Sequence, residues 1–116
     1  MRYALLINVD EALFGKMSKE EGEAVMSAYM AYGDRYKDKI AGGDALQRVE
    51  TATTVRVRDG KTQTTDGPFA ETKEQLGGFY IVNCDNLDEA VELASHIPDA
   101  VRGSIEVRPI MEFNQA

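Results

Sequence analysis

The chain has 116 residues, with 13 Lys and Arg against 20 Asp and Glu, for a net charge of −7. Its 43% hydrophobic and 28% charged residues describe one globular domain large enough to hold a core without disulfides, and not a disordered chain. The acidic balance sets the surface against phosphate backbones, so nucleic acid is excluded as a non-specific partner, and no apolar run reaches the roughly 20 residues of a membrane span.

Met1–Val9 (MRYALLINV) is apolar at both alternating sets, Tyr3, Leu5, Ile7 and Ala4, Leu6, which predicts a central strand with both faces covered. Asp10–Met17 reads as a loop. Ser18 with Glu21 is a capping box, so a long helix follows to about Lys39. Val25, Tyr29, Tyr32 and Tyr36 form its apolar stripe, with Met26 and Met30 widening it, and Gly42-Gly43 is expected to end it. Asp44–Arg48 is a short edge strand. Thr53–Arg58 and Lys61–Thr65 flank Asp59-Gly60, the pattern of a type I′ hairpin turn.

Ala70–Leu76 is polar, with room for a helical turn or two. Gly77-Gly78 opens a strand, Phe79–Cys84, again apolar on both faces. Its glycines carry no helix N-terminus directly behind them, so they predict a bulge or a close backbone approach and not a phosphate loop. Asn86 with Glu89 caps a second helix along Leu87, Ala90, Val91 and Ala94, which Pro98 stops near His96. Ser104–Met111 is the last strand, with Ile105 and Val107 opposite Glu106 and Arg108.

Two β-α-β units around a hairpin make an α+β domain of the ferredoxin-like, split βαβ kind, spanning residues 1–116 with the β-hairpin inserted between the halves. Right-handed crossovers place both helices on one face of the sheet. The other face stays bare and too apolar for water, which predicts a homodimer through the uncovered sheet face.

The stretch from Thr51 to Val82, with Asp66-Gly67-Pro68-Phe69, Ala70-Glu71-Thr72-Lys73-Glu74 and Gly77-Gly78-Phe79, resembles the DGPF branch of the YCII-related family. MRYALLINVDEA, LDEAVELASHIPDA and IEVRPIM are similar to its opening strand, closing helix and closing strand. The resemblance implies a dimeric α/β barrel and a cytoplasmic bacterial protein. It implies no single activity. Some relatives are small-molecule enzymes with a His–Asp pair, and in one branch a dehydrochlorinase, but residues 1–95 here hold no histidine, so that pair is not carried over. The branch is also associated with extracytoplasmic-function sigma factors, which points to a regulatory, non-catalytic ligand-binding module as the alternative.

Asp66 is the candidate catalytic residue. Pairing across Asp59-Gly60 sets Thr53 opposite Asp66, on the same side as Val55 and Val57, and predicts a partly buried carboxylate. Desolvation would then raise its pKa and suit it to general acid or base work on a small, partly apolar substrate. Phe69 would wall the pocket, Glu71 and Lys73 would line its mouth, and Tyr32 would present a hydroxyl between helix and sheet. The competing reading makes Asp66 a turn former whose oxygens cap the Phe69 or Ala70 N–H, with Gly67, Pro68, Gly77 and Gly78 as structural punctuation. His96 suits a helix C-terminus. Cys84 reads as a small buried hydrophobe, and with a reducing compartment implied by this lone cysteine no disulfide is expected. No metal ligand set and no cofactor motif is present in the sequence pattern, so none is expected.

Overall fold

A computed structural model describes residues 1–113. Its strands are β1 (Arg2–Val9), β2 (Ile40–Ala45), β3 (Thr53–Arg58), β4 (Lys61–Asp66), β5 (Gln75–Asn83) and β6 (Ser104–Pro109), and its helices are α1 (Glu11–Phe14), α2 (Lys19–Arg35) and α3 (Leu87–Ser95). β2, β5, β1 and β6 lie in that order in one antiparallel sheet, while β3 and β4 form a separate ribbon. This is the split βαβ arrangement with the hairpin inserted between its halves, as the element order requires.

β1 divides its residues between two environments. Tyr3, Leu5, Ile7 and Val9 are buried, and they share the helix side with Val82 and Tyr80 of β5 and with Ile105 and Val107 of β6. Ala90, Leu93 and Ala94 of α3 and Ile97 close this core from above. Ala4 and Leu6 face the other way, opposite Ile81 and Phe79. That side is half-buried and has no layer over it among the described residues. Its centre is apolar, and Asp44, Ser104, Glu106 and Arg108 form a polar rim.

Both caps form as read. The Ser18 hydroxyl accepts from the Glu21 N–H while the Glu21 carboxylate accepts from the Ser18 N–H, and the Asn86 side chain accepts from the Glu89 N–H. α2 ends three or four residues earlier than expected. Lys39 and Ile40 N–H both donate to the Tyr36 carbonyl, turning the chain toward the sheet edge. Gly42 and Gly43 therefore do not end the helix; they lie inside β2. A Cβ on Gly43 would stand 2.4 Å from the Phe79 carbonyl oxygen, so glycine is what lets this edge strand close on β5. Met26 and Met30 do not widen the buried stripe; they are largely exposed, and Tyr32 is the one buried residue of α2.

Within Asp10–Met17 the chain makes a short helix, α1, capped by the Asp10 side chain accepting from the Ala12 N–H. Residues 70–74 form no helix, and β5 begins at Gln75, ahead of Gly77. The β1–β5 register slips at Ile7 and Asn8, so Gly77 is the extra residue of a bulge, and a Cβ on Gly78 would press to 3.0 Å on the Asp44 carbonyl oxygen. The hairpin register is the one derived from Asp59-Gly60: Thr53 opposite Asp66, Val55 opposite Thr64, Val57 opposite Thr62. Both turn residues have positive φ, 53° at Asp59 and 73° at Gly60.

Candidate functional site

α2 and the strands β1, β2 and β5 leave a space between them. The space left is a cavity of about 600 Å³ whose wall includes Phe14, Val25, Met26, Tyr29, Tyr80 and Asp99. Most of this wall is apolar. Its polar side chains include Glu11, Asp44, Arg48 and the hydrogen-bonded pair of Tyr29 and Asp99. The Tyr29 hydroxyl donates to Asp99 Oδ2 at 2.5 Å, and Arg102 Nε donates to Asp99 Oδ1 at 3.0 Å. Asp99 is 4% exposed and is the one buried charged side chain among the described residues.

Local sequence accounts for this placement. Tyr29 occupies the inward stripe of α2, half-buried between Val25 and Tyr32. Pro98 stops α3 and starts a 3-10 turn, Pro98–Val101, that points Asp99 back under α2. Arg102, three residues on, folds over the carboxylate and also reaches the Pro98 carbonyl. Burial, followed by the hydrogen bond to Asp99 and its negative charge, drives the Tyr29 phenol far above the ordinary tyrosine range. Tyr29 is therefore a neutral hydroxyl whose proton is directed at Asp99, and its oxygen lone pairs are left for a donor in the cavity.

Glu11 joins this wall to the ribbon. Its carboxylate accepts from the Val49 N–H at 3.2 Å, and its own N–H donates to Gln75 Oε1 at 3.2 Å. The segments entering and leaving the ribbon are thus tied to one residue, which itself lines the cavity.

The residues singled out from the sequence are not gathered there. Asp66 pairs with Thr53 as derived but is exposed, not partly buried, because nothing among the described residues covers the Val55 and Val57 side of the ribbon. No hydrogen bond of its carboxylate to Phe69 or Ala70 N–H forms among the described residues. The Gly67 N–H closes the ribbon instead, donating to the Ala52 carbonyl at 2.7 Å, while the Thr54 hydroxyl donates to the Gly67 carbonyl. Phe69 is 81% exposed and stands outside the cavity beneath α2, since the loop after Pro68 runs along the surface, and Glu71 and Lys73 are exposed with it. Tyr32 is buried in the core and donates to the Leu93 carbonyl at 2.8 Å, so its hydroxyl is already used in holding α2 to α3. His96 caps α3 and meets Glu92 at 3.0 Å. Cys84 is buried, and burial raises its thiol pKa. Among the described residues no group of three His, Cys, Asp or Glu side chains is placed to hold a metal ion.

The YCII-related domain pattern matches residues 1–114, nearly the whole chain. The chain belongs to the YCII-related family. A relative, uncharacterized protein R00369 of Rhizobium meliloti (strain 1021), is 44% identical over 114 residues, covering 95% of this YCII-related chain and 92% of its own. Among solved structures, this chain is similar to 5-chloro-2-hydroxyhydroquinone dehydrochlorinase (TftG) from Burkholderia phenoliruptrix AC1100, in complex with 2,5-dihydroxybenzoquinone. The TM-score is 0.54 at 17% identity, over 97% of this chain and 96% of that one. That likeness shows the ferredoxin-like fold of this YCII-related protein. The residues missed by sequence reasoning are Asp99 and Glu11. Asp99 follows a helix-stopping proline and so reads as a turn residue, and its partner Tyr29 is 70 positions away.

Proposed function

We propose that this YCII-related protein binds a small, partly apolar organic molecule in the cavity beneath α2 and acts on it without a cofactor, as an isomerase, lyase or hydrolase. The observation that carries this reading is the Tyr29–Asp99 pair, its carboxylate buried, in a mostly apolar cavity of about 600 Å³, which is the size and character of a small-ligand site. A ligand hydroxyl would donate to the Tyr29 oxygen as the Tyr29 proton passes to Asp99. The ligand is left as an alkoxide, phenolate or enolate, and the proton ends on Asp99 Oδ2. Arg102 holds Asp99 in place through this transfer. TftG, with its dihydroxybenzoquinone, is an enzyme of similar fold with a hydroxylated ring as its ligand, which agrees with this reading.

Asp66, Phe69, Glu71 and Lys73 do not line this cavity. We propose that a second copy of the chain pairs with this one through the uncovered sheet face. The apolar centre of Ala4, Leu6, Phe79 and Ile81 inside a polar rim is the composition of an interface.

A thermal-shift panel of phenols and their hydroxyl-free analogues tests the site. Wild type is stabilised by phenols that fit, and Tyr29→Phe, which keeps the ring and removes the hydroxyl, loses that preference. Equal shifts by phenols in wild type and Tyr29→Phe would remove Tyr29 from the mechanism.

A further inference from the structure

We propose that Tyr80 is a second polar contact for the ligand in the cavity beneath α2, donating its hydroxyl hydrogen to a carbonyl oxygen, so that the site takes a small neutral molecule carrying both a hydroxyl and a carbonyl. The proposal rests on the Tyr29 reading above and adds the accepting half of the ligand. Tyr80 lies on β5 and is part of the cavity wall with Tyr29 and Asp99. The neighbouring tyrosines have committed their protons, Tyr29 to Asp99 and Tyr32 to the Leu93 carbonyl. The Tyr80 hydroxyl forms no hydrogen bond among the described residues, and its oxygen is not sealed from solvent. A half-buried hydroxyl with an unused proton is the group that an arriving acceptor satisfies.

The ring is held still. It lies against Tyr32, with centroids 5.3 Å apart, and Tyr32 is itself fixed by its bond to Leu93. On the β2 side Gly43 makes room for it, since a Cβ there would come to 3.0 Å from Tyr80 Cδ1. Burial raises the Tyr80 phenol above the ordinary tyrosine range, and Tyr80 is in turn one of the neighbours that raise Tyr29. Tyr80 is therefore a fixed, neutral donor that needs no reorganisation when a ligand oxygen arrives.

The rest of the wall decides what that oxygen belongs to. Its charged side chains are Glu11, Asp44, Asp99 and Arg48. Arg48 is paired with Glu50, and Arg102 covers one oxygen of Asp99. Glu11 accepts from the Val49 N–H and keeps its charge. Carboxylates outnumber guanidinium groups here, on a chain at −7. That field opposes an anionic ligand, so the accepting oxygen is a carbonyl and not a carboxylate. As the ligand hydroxyl gives its proton toward Asp99 through Tyr29, negative charge spreads from its oxygen to a conjugated carbonyl, where the Tyr80 hydrogen bond meets it. Tyr80 keeps its own proton throughout.

Three ligands test this by isothermal titration calorimetry: 4-hydroxyacetophenone, 4-isopropylphenol, which has a similar shape and no carbonyl, and 4-hydroxybenzoate. Wild type binds the ketone about threefold to tenfold more tightly than isopropylphenol, the effect of one neutral hydrogen bond, and binds the benzoate most weakly. Tyr80→Phe erases the margin between ketone and isopropylphenol while leaving isopropylphenol within about twofold of wild type, and Tyr29→Phe weakens both. In wild type labelled with carbon-13 at tyrosine Cζ, the ketone moves the Tyr80 resonance and isopropylphenol does not, which needs no variant. A margin that survives Tyr80→Phe, an equal loss of both phenols in Tyr80→Phe, or a benzoate that binds most tightly overturns the Tyr80 proposal. The Tyr29 reading then stands as long as Tyr29→Phe weakens the phenols. Phenols bound equally well by wild type and Tyr29→Phe, or by neither at millimolar concentration, overturn both.

Discussion

Leu5 and Val57 are both apolar strand residues, yet Leu5 is fully buried and Val57 is 59% exposed. The two belong to regions built on different terms. In the body, each apolar side chain on the helix side of the sheet meets α3, Ile97 or a neighbouring strand, so alternation along the strand and burial coincide. In the β3–β4 ribbon the alternation is just as regular, and the backbone ladder is complete, but the apolar side meets nothing among the described residues. Strand patterning thus decides which residues share a side. It does not decide whether that side is covered, and Asp66 shows the consequence.

The largest break in this comparison is Leu5→Ala, which leaves a cavity in the core and costs about 2–5 kcal/mol of stability. Val57→Ala costs under about 0.5 kcal/mol in the dissociated protomer, because an exposed residue leaves no cavity. Urea unfolding of both variants at low protein concentration checks the contrast. Equal losses would mean that the ribbon packs on its own body.

Tyr29→Phe comes next. It leaves Asp99 Oδ2 buried without its donor, at a cost of about 1–3 kcal/mol, and Asp99→Asn in the same background recovers part of it. A double-mutant cycle by chemical denaturation measures the coupling. Ser18→Ala removes the hydroxyl cap of α2 and costs about 1 kcal/mol, with helix content otherwise kept.

The smallest effect is on titration. Burial raises the phenols of Tyr29, Tyr32 and Tyr80. A group that holds its proton more tightly when folded gives its full contribution below its unfolded value, about pH 10 for tyrosine, and loses it as pH rises through the folded value. Ultraviolet titration of the native protein therefore shows a late-ionising fraction that disappears in denaturant, and Tyr29→Phe shrinks that fraction. A native curve that overlays the denatured one would place these hydroxyls in water.

Much of the fold was legible because its signals are local. Asp59-Gly60 set the hairpin register, since a two-residue turn with both φ positive allows one pairing. Ser18 with Glu21 and Asn86 with Glu89 marked two helix starts by hydrogen bonds reaching three residues. Gly42-Gly43 misled because glycine ends helices and also admits close strand contacts, and the deciding neighbour, Phe79, is distant in sequence. The same distance hid the site. Tyr29 was visible as one of a stripe, but Asp99 acquires its role only when the turn after α3 is folded under α2. The DGPF run was visible as a motif, and its glycine closes the ribbon by bonding Ala52. Its aspartate was assigned a burial that strand pairing alone does not supply.

The most direct test of the central claim, that the cavity under α2 holds a small hydroxylated ligand at Tyr29, is a titration of isotope-labelled protein with hydroquinone followed by amide chemical shifts. The account predicts shifts clustered at Gly22–Tyr29, Gly43–Leu46 and Gly77–Tyr80, weakened in Tyr29→Phe. Shifts confined to the surface loop around Phe69–Lys73, or none at millimolar ligand, would contradict it.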